Sequence, residues 1–278
     1  MTVPTPSTPP SPRIPRTPPI PREIPDLPPV PGSPALPLSP VPAAAVVPPV
    51  QRPLTAVFRL LIAALATAGV ALELLLGSPA RTLSYFSVQS NALLALTFAA
   101  SAHRAGTARR PLPPSLTGAV LLYALITAAV YHLFLPHTTP PFAMTDATAP
   151  PARWHGQWTA LQILHTAVPL GVLLDWLLLT APGRLHLRQA TAWMLYPLAY
   201  LAFSLTRAEL LLPGTPARYL YPFLDVDQHG YKHTLANALL LGLSFYALAV
   251  LLVALDHTRP NPVRRHRKTG FRLRPPVG

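Results

Sequence analysis

Six long apolar stretches follow one another along the chain, and they restrict its possible folds more than any other feature. Each is about 20 residues long, the length that a helix needs to cross the roughly 30 Å hydrocarbon core of a bilayer. We predict a membrane domain over residues 54–256, with spans at 55–76, 83–102, 115–135, 156–179, 188–210 and 234–256. Lipid offers no partners for backbone polar groups, so each span must be a helix. The sequence therefore predicts an all-α, multi-pass bundle of six transmembrane helices.

The remaining residues form two tails of different composition. Residues 1–53 contain many of the 39 prolines of the chain. Because proline fixes φ and lacks a backbone donor, we expect a disordered, extended proline-rich arm there. Residues 257–278 form a basic tail. The chain has no cysteine, which excludes disulfides, thiolate metal sites and cysteine nucleophiles.

Arginine and lysine are distributed unequally between the two sides of the predicted bundle. If the N-terminus is cytoplasmic, most of the 22 basic residues fall in cytoplasmic segments, and only Arg81, Arg153, Arg218 and Lys232 fall outside. Basic residues are enriched on the cytoplasmic side of membrane proteins. We therefore predict a cell-membrane protein with both termini in the cytoplasm. The net charge of +13 indicates attraction to anionic headgroups, and since no nucleic-acid-binding motif is present, we expect membrane lipids as partners and no nucleic acid.

Polar residues of all six predicted spans fall in the outer half of the bundle. Polar and ionisable residues inside spans are costly, and they usually face a cavity or one another. In the stretch SYFSVQSN, residues 84–91, helical spacing places Ser87, Ser90 and Asn91 on one face, whereas Gln89 points elsewhere. We predict a polar pocket open to the outer leaflet, formed by Glu73, Ser87, Gln89, Ser90, Asn91, Tyr131, His132, His165, Arg207, Asp225, His233 and Asn237.

Ser87 and His165 are the candidate catalytic pair of this pocket. A serine hydroxyl becomes a good nucleophile when a nearby imidazole accepts its proton and a third polar group orients the imidazole. Asp225 or Glu73 are candidates for that third group. Asn91, Tyr131 or Arg207 are candidates to stabilise an oxyanion.

Two other interpretations of the same residues remain open. Serine and asparagine often join membrane helices without any catalytic role. Alternatively, His132, His165 and His233 are a candidate set of three zinc ligands. The catalytic interpretation requires no cofactor.

Five ordered motifs give the chain a resemblance to known proteins. They are YFSVQSNALL, VYHLFL, ILHTAVPLGVLLDWLL, YPLAYLAFSLTRAEL and YPFLDVDQHG. Over residues 55–256 the chain resembles the bacterial Pr-six-Pr type six-helix membrane proteins, which are distantly similar to the eukaryotic androgen-induced membrane protein family. That family includes threonine hydrolases that cleave fatty acid esters of hydroxy fatty acids.

The resemblance assigns roles to individual positions. It places Ser87 where the eukaryotic family has its catalytic threonine and His165 where that family has its histidine, and it matches Asp175 to a later acidic residue. It implies a serine-type membrane hydrolase of fatty-acid esters, with a small lipid-like substrate. A non-catalytic membrane protein that binds or transports lipid or another small molecule is the alternative, and a zinc-dependent membrane hydrolase is the second alternative.

Overall fold

The computed structural model describes residues 51–135, 154–215 and 217–260, and within these residues the fold is entirely helical. The predictions for the arm up to residue 50 and for the tail beyond residue 260 concern residues outside this part. The described α-helices are α1 Pro53–Leu76, α2 Pro79–Thr82, α3 Phe86–Gly106, α4 Pro114–Phe134, α5 Trp154–Gln162, α6 Val168–Leu174, α7 Leu187–Trp193, α8 Leu195–Leu210 and α9 Val226–Thr258. A 3₁₀ turn at Pro222–Leu224 precedes α9.

Four helical segments of the described chain are long and apolar enough to cross a membrane. They are Pro53–Leu76, Pro114–Phe134, His155–Leu179 and Val226–Thr258. Many leucines on the outer surface remain exposed, as expected of side chains that face lipid: Leu60, Leu61, Leu96, Leu239 and Leu240. An all-helical protein with four candidate membrane spans is therefore established.

The other two predicted spans are helical but differ from a simple apolar helix. The predicted 83–102 segment is α3, which begins at Phe86 and carries several polar residues in its first two turns. The predicted 188–210 segment is divided at Met194 into α7 and α8. Pro197 lacks the N–H that would bond to the Trp193 carbonyl, and Tyr123 Oη donates to that carbonyl instead, at 3.0 Å. The six-span count stays a prediction.

The segment 154–179 contains two π-helical turns, Ile163–Ala167 and Asp175–Leu179. In the first, Val168 N donates to Ile163 O, five residues earlier. Pro169 follows directly, near the start of α6. His165 lies inside the first wide turn and Asp175 begins the second, so the two positions of this segment that the family resemblance matches coincide with departures from α-helical geometry.

The bundle is held together by close packing of α1 against α3 and the 154–179 segment. Gly69 permits the closest approach, since a Cβ atom there would lie 2.6 Å from Leu164 Cδ2. Leu164 is fully buried. The π turn that carries His165 is therefore packed directly against α1.

Candidate functional site

A cavity of about 430 Å³ lies between α3, α4, the first π turn, α8 and α9. Both Ser87 and His165 line it. The other polar lining residues are Thr127, Tyr131, Tyr200, Tyr221 and Tyr246, and the remaining lining is apolar. The predicted nucleophile and base, Ser87 and His165, therefore line one cavity, although they are 78 residues apart in the sequence.

An aromatic cluster positions Ser87 at the start of α3. The ring of Phe86 packs against Tyr123, Tyr196 and Tyr200, with centroid distances of 6.3, 5.1 and 5.3 Å. Tyr200 Oη also donates to the carbonyl of Ser84, at 3.0 Å. These contacts join α4 and α8 to the first turn of α3, so that the residue after Phe86 is presented to the cavity in a fixed orientation.

Among the described residues, the buried Ser87 hydroxyl makes no hydrogen bond of ordinary geometry. The Tyr221 phenol contacts the side chain and backbone of Ser87; burial raises the pKa of Tyr221, and this contact partly offsets the rise. A phenol with a raised pKa stays protonated near neutral pH and remains a donor. Ser87 thus lies beside a phenol that can donate to it or to a bound substrate.

His165 is held by one backbone group. Its Nδ1 lies 2.9 Å from the carbonyl oxygen of Leu161. A carbonyl only accepts hydrogen bonds, so Nδ1 carries the proton and Nε2 carries the lone pair. Within the described residues Nε2 has no hydrogen-bond partner. The Tyr131 ring packs against the imidazole at a centroid distance of 4.5 Å and restricts its rotation.

The orienting group expected from sequence was Asp225 or Glu73, and the structure assigns that role to the Leu161 carbonyl instead. Asp225 is the N-cap of α9, where its carboxylate accepts from Gln228 N at 3.0 Å. Glu73 is 1% exposed, and neither of its carboxylate oxygens has a hydrogen-bond partner in the part of the chain that the structure describes. Neither residue lines the cavity.

Ser90 and Asn91 support the site without lining the cavity. Ser90 Oγ is 3.2 Å from Thr127 Oγ1 and donates to Ser87 O at 3.1 Å. Asn91 Nδ2 donates to Ser87 O at 2.8 Å and to Leu164 O at 3.4 Å. Both amide hydrogens of Asn91 are engaged, so it is not a free oxyanion donor. Its side chain instead ties the nucleophile's helix to the π turn.

The other predicted pocket residues lie elsewhere. Gln89 donates to Leu83 O at 2.9 Å and accepts from Tyr196 Oη at 3.2 Å. Arg207 donates to two backbone carbonyls, those of Ala217 and Arg218. Three further residues are exposed and outside the cavity lining: His132, His233 and Asn237.

The zinc interpretation requires three histidines to converge, and they do not. His132 Nε2 is 3.0 Å from Thr166 Oγ1, and His233 Nδ1 contacts the His229 carbonyl at 3.1 Å. Among the described residues, no group of three histidine, aspartate or glutamate side chains is arranged to hold a metal ion. His132, His165 and His233 are therefore not a metal-ligand set in this structure.

Tyr131 was predicted as a pocket residue, but Tyr200, Tyr221 and Tyr246, which also line the cavity, were not. Tyr200 and Tyr221 lie in two of the motifs that carry the resemblance, YPLAYLAF and YPFLD, beside the charged residues Arg207 and Asp225 that were predicted instead. The number of tyrosines within apolar segments could have indicated a polar site there, since a buried phenol needs a polar partner.

Compared with known proteins, the chain matches no family model, no curated protein and no solved structure.

Proposed function

We propose that this protein is a membrane-embedded hydrolase of lipid esters, with Ser87 as nucleophile and His165 as general base. The observation that carries the proposal is that Ser87 and His165 line the same cavity, with the lone pair of His165 Nε2 uncommitted. General bases act through such lone pairs when they lie within reach of the proton they remove. The family resemblance names the same two residues.

The reaction proceeds in two acyl-transfer steps. Ser87 Oγ attacks the ester carbonyl carbon while its proton moves to His165 Nε2, and His165 then returns that proton to the departing alcohol. A water molecule next attacks the acyl-serine and gives one proton to Nε2. Collapse of this second intermediate releases the carboxylic acid, and the proton passes back to Ser87 Oγ. Tyr131 and Tyr221 are the candidate donors to the oxyanion in both steps.

The shape of the cavity favours a substrate with a long apolar group. Its wall includes Leu198, Leu235, Leu239 and Leu243, each more than half exposed on the outer surface. A wall whose side chains face lipid on one side and the cavity on the other permits lateral entry of an acyl chain. This supports a small lipid ester as substrate, with the acyl chain along α8 and α9 and the carbonyl near Ser87.

The proposal places the protein in the cell membrane with six transmembrane spans, which are the four apolar helical segments together with α3 and the α7–α8 pair. Both termini lie in the cytoplasm. It also includes membership of the Pr-six-Pr type. The polar turns of α3 face the bundle interior in this arrangement, which explains why its composition is less apolar than that of its neighbours.

The test is labelling of purified protein with a fluorophosphonate probe. We expect wild-type protein to be labelled and Ser87→Ala to lose labelling completely. Ser90→Ala is the matched control, because Ser90 is equally buried on the same helix and does not line the cavity. Labelling that persists in Ser87→Ala would refute the proposed nucleophile.

A second candidate function is binding of lipid without catalysis. The predominance of apolar lining residues favours it, since ligand sites are typically apolar with few polar groups. Stoichiometric lipid that co-purifies with the protein, together with no labelling of wild-type protein, would support this candidate over the hydrolase.

A further inference from the structure

A second cavity lies at the opposite end of the bundle from Ser87. Its volume is about 130 Å³, and it is formed by the start of α1, the end of α3, the start of α4 and the end of the 154–179 segment. The polar and charged residues that line it are Arg52, Arg59, Thr97, Ser101, Thr117, Asp175, Thr180, Arg184 and Asp256. This composition contrasts with the mainly apolar lining of the Ser87 cavity.

One carboxylate of this cavity is neutralised by a bidentate ion pair. Arg59 Nε lies 2.7 Å from Asp175 Oδ1, and its Nη2 lies 3.1 Å from Asp175 Oδ2. Arg59 also donates to Ser101 Oγ at 3.0 Å, and Thr180 Oγ1 donates to Asp175 Oδ2 at 3.2 Å. Both side chains are nearly buried, so this pair is a closed unit.

The second carboxylate is also compensated. Asp256 accepts hydrogen bonds from the backbone N–H groups of Arg184 and Leu185, at 2.7 and 2.9 Å. Its Oδ1 pairs with Arg259 Nη2 at 2.8 Å. The guanidinium of Arg259 lies over the Trp176 ring.

Two cations of the cavity have no such partner. Within the described residues, the guanidinium groups of Arg52 and Arg184 form no hydrogen bond and no ion pair. Their backbones are nevertheless fixed, since Arg52 N donates to Ala105 O at 3.0 Å and Arg184 N donates to Asp256. Two positive charges on anchored backbone positions therefore flank a hydroxyl-rich cavity whose carboxylates are already occupied.

We propose that this cavity binds one phosphate group, with Arg52 and Arg184 as its cationic ligands. The planar guanidinium group matches phosphate geometry and forms paired charge-assisted hydrogen bonds with it. A cavity needs only about 10–15 Å³ to hold one water, so 130 Å³ admits a phosphate group. The phosphate can belong to an anionic phospholipid headgroup or be free in solution, and the experiment separates these sources.

The test measures the melting temperature of the purified full chain in detergent by tryptophan fluorescence. Three additions are compared: phosphatidylglycerol, phosphatidylcholine and inorganic phosphate. We expect phosphatidylglycerol to stabilise the protein more than phosphatidylcholine. Stabilisation by inorganic phosphate as well would identify a small-anion site, whereas stabilisation by phosphatidylglycerol alone would identify a headgroup site.

The variants distinguish a site from general surface attraction. In Arg52→Gln/Arg184→Gln we expect the phosphatidylglycerol concentration needed for stabilisation to rise roughly tenfold or more, because two charge-assisted contacts are lost. Arg109→Gln/Arg188→Gln removes the same charge from exposed positions outside the cavity and is expected to respond like wild type. An equal response of both double variants, or no selective stabilisation of wild type by any phosphate compound, would overturn the proposal.

Discussion

Gly69→Ala tests whether the packing of α1 positions the proposed catalytic base. A Cβ atom at residue 69 would lie 2.6 Å from Leu164 Cδ2 and 2.8 Å from Ile163 Cγ2. Ordinary carbon contacts are about 3.5–4.0 Å, so the π turn must move by about 1 Å. Because Leu164 is fully buried, its side chain has no solvent to move into. We expect the displacement to reach His165, the next residue in the chain.

Two opposing effects set the size of the change in stability. Overpacking of a well-packed core typically costs about 1–3 kcal/mol. Replacement of a mid-helix glycine by alanine recovers about 0.5–1 kcal/mol. At the middle of these two ranges the net cost is about 1.25 kcal/mol, which lowers the melting temperature of a domain of this size by roughly 3–5 °C. A 1 Å misplacement of a catalytic group can cost about 10²-fold in rate, and we expect the rate of fluorophosphonate labelling to fall by that order.

The assay combines thermal melting in detergent with the labelling rate of folded protein. Gly106→Ala is the control, since a Cβ atom at residue 106 would meet only Ala56 Cβ, at an ordinary 3.7 Å. We expect this control to melt and label like wild type. If Gly69→Ala also melts and labels like wild type, the argument that this contact positions His165 is wrong.

Three further predictions concern other parts of the bundle. Arg59→Gln leaves the Asp175 carboxylate buried without its cation, and we expect it to destabilise the protein by about 3–5 kcal/mol. The double variant Arg59→Met/Asp175→Leu removes both charges and should melt much closer to wild type. A melting temperature of Arg59→Gln equal to that of wild type would contradict this prediction. Tyr131→Phe should slow ester hydrolysis by roughly 10²-fold if the phenol stabilises the oxyanion, whereas Tyr246→Phe, the same change elsewhere in the cavity lining, should leave the rate unaltered. A cysteine introduced at Lys268 should be protected from an impermeant thiol reagent in intact cells. Labelling at this position would contradict the predicted cytoplasmic location of the C-terminus.

The positions of the long helices were predictable because an apolar run of bilayer length has few alternatives to a helix. The prediction 115–135 differs by one residue at each end from α4, Pro114–Phe134. The division at Met194 was not predicted, although Pro197 supplied a signal, because proline removes the bond to the carbonyl four residues earlier. The helical turn at 226–229, which Asp225 caps, was not predicted, because capping is a local contact that hydropathy does not register; Gly230, with φ 71° and ψ 156°, interrupts the helix between this turn and the predicted span.

The site was only partly predictable for a geometric reason. Position along a span gives the predicted depth of a residue, and three residues predicted at similar depth, Ser87, Tyr131 and His165, line one cavity. Depth does not determine the direction in which a side chain points around the helix axis. His132 follows Tyr131 directly, yet it lies outside the cavity and contacts Thr166, because successive residues on a helix are about 100° apart.

The π turn around His165 has a consequence for how the gene can vary. A π turn contains one residue more than the α turn that would occupy the same place. Deleting a single codon within residues 163–167 would therefore restore an ordinary α turn while the helices on either side kept their original faces towards the bundle. Such a protein would retain its fold and lose the wide turn that presents the imidazole. Among natural variants of this gene, the length of that turn is thus expected to separate chains that keep the site from chains that keep only the scaffold.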